Sequence, residues 1–142
     1  MIIIGCSRGV HIAKKVARRL KKPYSELNVK KFPDGELYMR FMSNIRGKVV
    51  VLVQSFHGNI NDEIVEIIFA AETAKDLGAR KVILVAPYFP YFRQDKRFKP
   101  GGCISIKVMG KLISHYFDKV LVVDPHLHRQ NAISRIFSIQ TD

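Results

Sequence analysis

Four short runs of almost unbroken apolar character set the frame: Met1 to Ile4, Lys48 to Val53, Lys81 to Ala86 and Lys119 to Val123. A strand wet on one face alternates apolar and polar residues. A strand buried on both faces does not, and such strands belong to parallel sheets. Helical patterns lie between the runs. After Ser7-Arg8-Gly9, residues Ile12, Val16, Ala17 and Leu20 form an apolar face, and Lys14, Lys15, Arg18, Arg19, Lys21 and Lys22 form the wet one. Asn59 to Asp62 can cap a second helix, with Ile64, Ile67, Ile68, Ala71 and Ala74 inward and Gly78 as its stop. Ile104 to Tyr116 predicts a third, with Val108, Leu112 and Ile113 inward. Strands alternating with helices predict a mostly parallel twisted sheet with helices on both faces.

One segment breaks the pattern. Leu27 to Phe32 alternates apolar and polar, Pro33-Asp34-Gly35 is turn chemistry, and Leu37, Met39 and Phe41 alternate again. This predicts a β-hairpin. Asn131 to Phe137 predicts a last helix, and Ser138 to Asp142 carries no sign of a closing strand. With 142 residues and no linker or repeat, residues 1–142 read as one domain.

Charge narrows the partners. Lys and Arg outnumber Asp and Glu by 24 to 12, giving a net charge of +12. That favours nucleotides, sugar phosphates, nucleic acid or an acidic membrane surface. The charge is spread through helices and loops, and no nucleic-acid motif accompanies it, so a nucleic-acid binder is the distant alternative. Cys6 and Cys103 lack metal-ligand spacing and read as reduced thiols of a cytoplasmic protein. No secretory leader is expected, and no apolar stretch approaches the ~20 residues of a membrane span.

The stretch from Ala86 to Cys103, APYFPYFRQDKRFKPGGC, follows an apolar run and mixes aromatics with Arg93, Asp95, Lys96, Arg97 and Lys99. So many charges exclude it from the core. It reads as a loop at a strand's end, where α/β proteins bind ligands. A guanidinium at Arg93 can fork onto phosphate oxygens, Gln94 can read a hydroxyl or base edge, and the aromatics suit a planar ring. A parallel sheet would bring Ser7-Arg8-Gly9, Gln54-Ser55 and Asp124 to Arg129 to the same rim. Gly5 to Gly9 is a weak phosphate cradle without the lysine–hydroxyl pair of a P-loop. His126 and His128 beside Asp124 suggest a divalent cation but not a complete zinc site. Phe32, Asp34 and Glu36 at the hairpin tip could grip a ring and its amino group.

Together these pieces resemble the ribose-phosphate pyrophosphokinase family. The matching stretches are Phe32-Pro33-Asp34-Gly35-Glu36, Asn61-Asp62, Pro87-Tyr88 through Tyr91-Phe92-Arg93-Gln94-Asp95, Ile104-Ser105-Ile106-Lys107 and Val123-Asp124-Pro125-His126. They occur in the family's order, over its N-terminal half. The resemblance implies a phosphoribosyltransferase-like fold with a β-hairpin flag. It implies magnesium-dependent transfer of pyrophosphoryl from ATP to ribose 5-phosphate in the cytoplasm. Arg93, Gln94 and Asp95 would form the ATP motif, and Phe32, Asp34, Gly35 and Glu36 would hold adenine in a neighbouring subunit's site. A dimer-based homo-oligomer is therefore implied. His126 would be the Mg2+ ligand. The family's sugar-phosphate loop, second metal carboxylate and catalytic lysine have no counterpart here. No catalytic residue is therefore expected in this half, and little turnover without a second half. The alternative is a non-catalytic partner that regulates or assembles with a full-length homologue.

Overall fold

A computed structural model describes residues 1–123 and 136–141. The elements run β1 (Ile2–Gly5), α1 (Val10–Leu20), β2 (Tyr24–Lys31), β3 (Leu37–Phe41), β4 (Val49–Val53), α2 (Ile60–Asp76), β5 (Lys81–Ala86), α3 (Ser105–Tyr116), β6 (Lys119–Val122) and β7 (Gln140–Thr141). They build one seven-stranded sheet in the order β3-β2-β1-β4-β5-β6-β7. All neighbours are parallel except β2 and β3, the antiparallel hairpin.

The unbroken apolar runs occupy the middle of the sheet, because both faces there are covered. Ile2, Ile4, Val50, Leu52, Val82 and Leu84 point to one side, under α2 and α3. Ile3, Val51 and Val53 point to the other, where Ala13 and Ala17 of α1 meet them. The small alanines let α1 lie close to the strands. Its entry is equally tight: a Cβ on Gly9 would stand 1.7 Å from the Val53 carbonyl oxygen. No side chain fits there, so glycine is obligatory where α1 crosses the end of β4.

Three expectations are corrected. Leu20 and Val108 are 52% and 55% exposed, not inward. Ala13, and then Ile106 and Met109, take the inner positions, because the rotation of each helix is set by its neighbours and a 3.6-residue pattern tolerates a shift of one residue. The end of the chain does carry a closing strand: β7 pairs with β6 through Lys119–Gln140 and Val120–Thr141. Two residues are too few to show periodicity, so the pairing is visible only in three dimensions. Asn59 stands at the start of α2, but its side chain does not cap the helix; its amide donates to Asp62 Oδ2 at 2.7 Å. Most of the predicted last helix, and the whole of Asp124 to Arg129, lie outside the described residues.

Candidate nucleotide site

The carboxyl ends of β1, β4 and β5 lie along one rim, and two different kinds of loop leave them. The β1–α1 turn is locked. Glu66 of α2, 2% exposed, accepts from the Ser7 amide at 2.8 Å and the Ser7 hydroxyl at 2.5 Å. Gln54, at the end of β4, donates to the same carboxylate at 3.2 Å and accepts from the Arg8 amide at 2.9 Å. Arg8 Nε lies 3.4 Å from the buried Glu63 carboxylate. Burial pushes the Glu66 carboxyl above its ordinary range, the Glu63 charge adds to this, and the Ser7 and Gln54 hydrogen bonds oppose it. The Cys6 thiol is likewise pushed up, first by burial and then by Glu66. A buried thiol so shifted is a packing residue, not a nucleophile.

The sheet reverses its winding between β1 and β4, the usual place for a ligand crevice. Here that crevice is partly filled by the Ser7–Gln54–Glu66 network. A cavity of about 350 Å³ remains beside it, lined by acidic Asp62, Glu63 and Glu66 and basic Arg8, Lys30 and Lys31. None of this network except the Ser7 and Gln54 positions was legible beforehand. Glu63 and Glu66 look like wet-face residues of an amphipathic helix until their neighbours are known. The hint was their occurrence among inward-facing isoleucines.

The larger cavity, about 590 Å³, lies between the β4–α2 and β5–α3 loops. Its wall combines Gly58 to Asn61 with Tyr88, Pro90, Tyr91, Arg93, Gln94 and Ser105. The first turns of α2 and α3 both open into it, and neither has a side-chain cap. Helix N-termini carry partial positive charge and unpaired amides, so the wall favours an anion. Arg93 adds a full charge at its exposed edge. The size suits a nucleotide.

The β5–α3 loop is not wholly outside the core, contrary to the expectation from its charges. Phe89 and Phe92 are buried, with ring centroids 5.2 Å apart. Phe56 and Phe137 meet Phe89 edge-on at 5.5 Å each. Burial is decided side chain by side chain: Phe89 and Phe92 go down while Arg93, Lys96, Arg97, Phe98 and Lys99 stay exposed. So these phenylalanines are anchors, and only Tyr88 and Tyr91 offer aromatic surface to the cavity. Asp95 is also buried and is not on the cavity wall.

The hairpin residues stand elsewhere. Phe32 is 50% exposed and touches Tyr38 edge-on. Gly35 has the positive φ, +97°, that its turn position requires. Asp34 Oδ1 accepts from the Glu36 amide at 3.1 Å. Phe32, Asp34, Gly35 and Glu36 line neither cavity. His126 lies outside the described residues. Among the described residues, no group of three or more His, Cys, Asp and Glu side chains could hold a metal ion. Among them, too, no helix is long and apolar enough to cross a membrane.

The family described as the N-terminal domain of ribose phosphate pyrophosphokinase matches residues 1–116. The ribose-phosphate pyrophosphokinase of Saccharolobus solfataricus is 41% identical over 127 residues, covering 89% of this chain and 44% of the relative. That of Methanothermobacter thermautotrophicus is 37% identical over 139 residues, covering 97% and 47%. The chain thus spans about half the length of these curated relatives. The crystal structure of phosphoribosylpyrophosphate synthetase from Mycobacterium smegmatis superposes with a TM-score of 0.88 over 99% of this chain and 47% of that one, at 24% identity, a likeness of fold. The chain belongs to the ribose-phosphate pyrophosphokinase family, over the span of that family's N-terminal domain.

Proposed function

We propose that this chain forms the ATP-binding side of a ribose-phosphate pyrophosphokinase, which passes pyrophosphoryl from ATP to ribose 5-phosphate. The observation that carries the reading is the larger cavity, where Arg93 and Gln94 share a wall with the first turns of two helices. Arg93 would fork onto phosphate oxygens, and the first-turn amides of α2 with the Ser105 amide of α3 would take up remaining charge. Gln94 would read a hydroxyl or base edge. Asp95, on the packed side of the loop, would support the motif and not touch the nucleotide. Phosphoryl transfer depends mainly on positioning and charge neutralisation, so these contacts amount to half of a site.

Adenine would be held by Phe32, Asp34, Gly35 and Glu36 of a second copy. Their absence from this chain's cavity wall and the exposure of the Phe32 ring support that arrangement. Magnesium would accompany the polyphosphate, with His126 as its protein ligand. The sugar phosphate would be bound by the part of the enzyme corresponding to the other half of the relatives.

Calorimetric titration with Mg-ATP tests this. Arg93→Ala should weaken binding by about 1.5–3 kcal/mol, the range for a hydrogen bond to a charged group. Equal affinity for the variant and its parent rejects the assignment. His126→Ala should weaken binding when magnesium is present and leave it unchanged in chelator; the same loss in both rejects the metal role. Supplying the C-terminal half of a relative should restore synthesis of phosphoribosyl pyrophosphate to a chain that turns over little alone.

A further inference from the structure

We propose that Tyr91 is a positioning residue that sets the aim of Arg93 and the width of the cavity, an inference that rests on the nucleotide reading above. Two non-glycine residues among those described have positive φ: Lys21 at 51° and Tyr91 at 65°. Lys21 ends α1, where the left-handed conformation commonly terminates a helix. Tyr91 terminates nothing. A bulky aromatic residue holds this conformation only when its surroundings impose it.

Two hydrogen bonds impose it. The Tyr91 hydroxyl donates to Asn61 Oδ1 at 2.5 Å, and the Ser105 hydroxyl donates to the Tyr91 carbonyl at 3.3 Å. Asn61 lies in the first turn of α2, and Ser105 opens α3. Tyr91 is therefore pinned at both ends, to the two helix starts that face the ligand. The left-handed residue turns the chain so that Phe92 drops into the ring cluster while Arg93 and Gln94 come up on the cavity wall. The Tyr91–Asn61 bond also ties the β5–α3 loop to the first turn of α2 across the cavity. Tyr91 acts through Arg93 and the opening, not as a catalytic residue.

The experiment compares Tyr91→Phe, Asn61→Ala, their double variant, Arg93→Ala and Tyr91→Phe/Arg93→Ala with the parent. Tyr91→Phe and Asn61→Ala should each lower Mg-ATP affinity about three- to tenfold, the effect of one lost hydrogen bond, and together no more than either alone. Once Arg93 is gone, Tyr91→Phe should cost less than about twofold. An equal loss in both backgrounds means that Tyr91 touches the nucleotide directly and overturns the proposal, as does no loss at all.

A ligand-free readout separates this inference from the nucleotide reading. The Ile106 amide donates to the Gln94 carbonyl at 3.4 Å, so its hydrogen exchange reports the loop. Tyr91→Phe should speed exchange at Ile106 at least several-fold and leave Leu52 in the central sheet unchanged. If the parent fails to bind ATP but Ile106 still loosens, the nucleotide reading falls and the positioning role stands. Unchanged exchange at Ile106 overturns the positioning role whatever the titrations show.

Discussion

The β5–α3 loop and the β2–β3 hairpin both carry residues that the family resemblance ties to one nucleotide, yet they are built in opposite ways. The loop sends Phe89 and Phe92 into a ring cluster and is pinned by Asn61 and Ser105. The hairpin tip buries nothing; its ring contact is Phe32 against Tyr38. The loop is a finished wall with its own support. The tip is held by the neighbouring Lys31–Asp62 ion pair, and its Phe32 ring is half exposed. An aromatic residue in a binding motif can thus be an anchor or a contact, and its burial tells which.

The largest expected effect tests the anchor role. Phe92→Ala should cost about 3–5 kcal/mol of folding stability, as for a buried phenylalanine truncated in a packed core. Arg93→Ala beside it should stay within about 0.5 kcal/mol, since its side chain is exposed. Urea denaturation of the pair measures both. Similar losses for the two neighbours would erase the distinction between the loop's packed and wet sides.

Removing a locked polar group should come next. Glu66→Ala removes the acceptor of the Ser7 amide and hydroxyl and one of the two acceptors of the Gln54 amide, at about 1–3 kcal/mol. Glu66 also predicts a pH dependence. Its carboxyl titrates above its unfolded value, so the folded state holds the proton more tightly. Stability should therefore fall as pH rises from the ordinary carboxylate range through the raised one. Glu66→Gln should flatten that slope, read as urea midpoints across the acid range. A slope as steep as the parent's would place its source elsewhere.

The hairpin should give the smallest effects. Lys31 Nζ, at the turn end of β2, lies 2.6 Å from Asp62 Oδ2 and ties the hairpin to α2 just before its tip, but both side chains are partly exposed. Lys31→Ala should cost at most about 1 kcal/mol, less at high salt. Phe32→Ala should change stability by no more than about 0.5 kcal/mol. A larger loss at Phe32 in thermal melts would mean that the tip packs against something within its own chain.

Much of the frame was legible because it follows from local rules. The unbroken runs in β1, β4 and β5 required cover on both faces, and the alternation around Pro33-Asp34-Gly35 required a hairpin. The rim holding Arg93 and Gln94 followed from the parallel run of β1, β4 and β5. The Ser7–Gln54–Glu66 lock was not legible: its members are separated by up to 59 positions, and a glutamate on a helix is read as wet until a partner is found. Nor was the fate of the loop's aromatics, since phenylalanines among charges suit either a ligand or a core.

By itself the sequence determined the order of strands and helices from β1 to β6, the hairpin turn and the charged rim, because short-range periodicity, turn chemistry and charge do not depend on distant residues. Only the tertiary structure decided which loop side chains go down and which come up, how Tyr91 is pinned, and that the crevice between β1 and β4 is partly filled by polar groups. Those outcomes depend on what stands across the gap. Burial and hydrogen bonding are properties of pairs brought together by folding, and no single residue type specifies its partner.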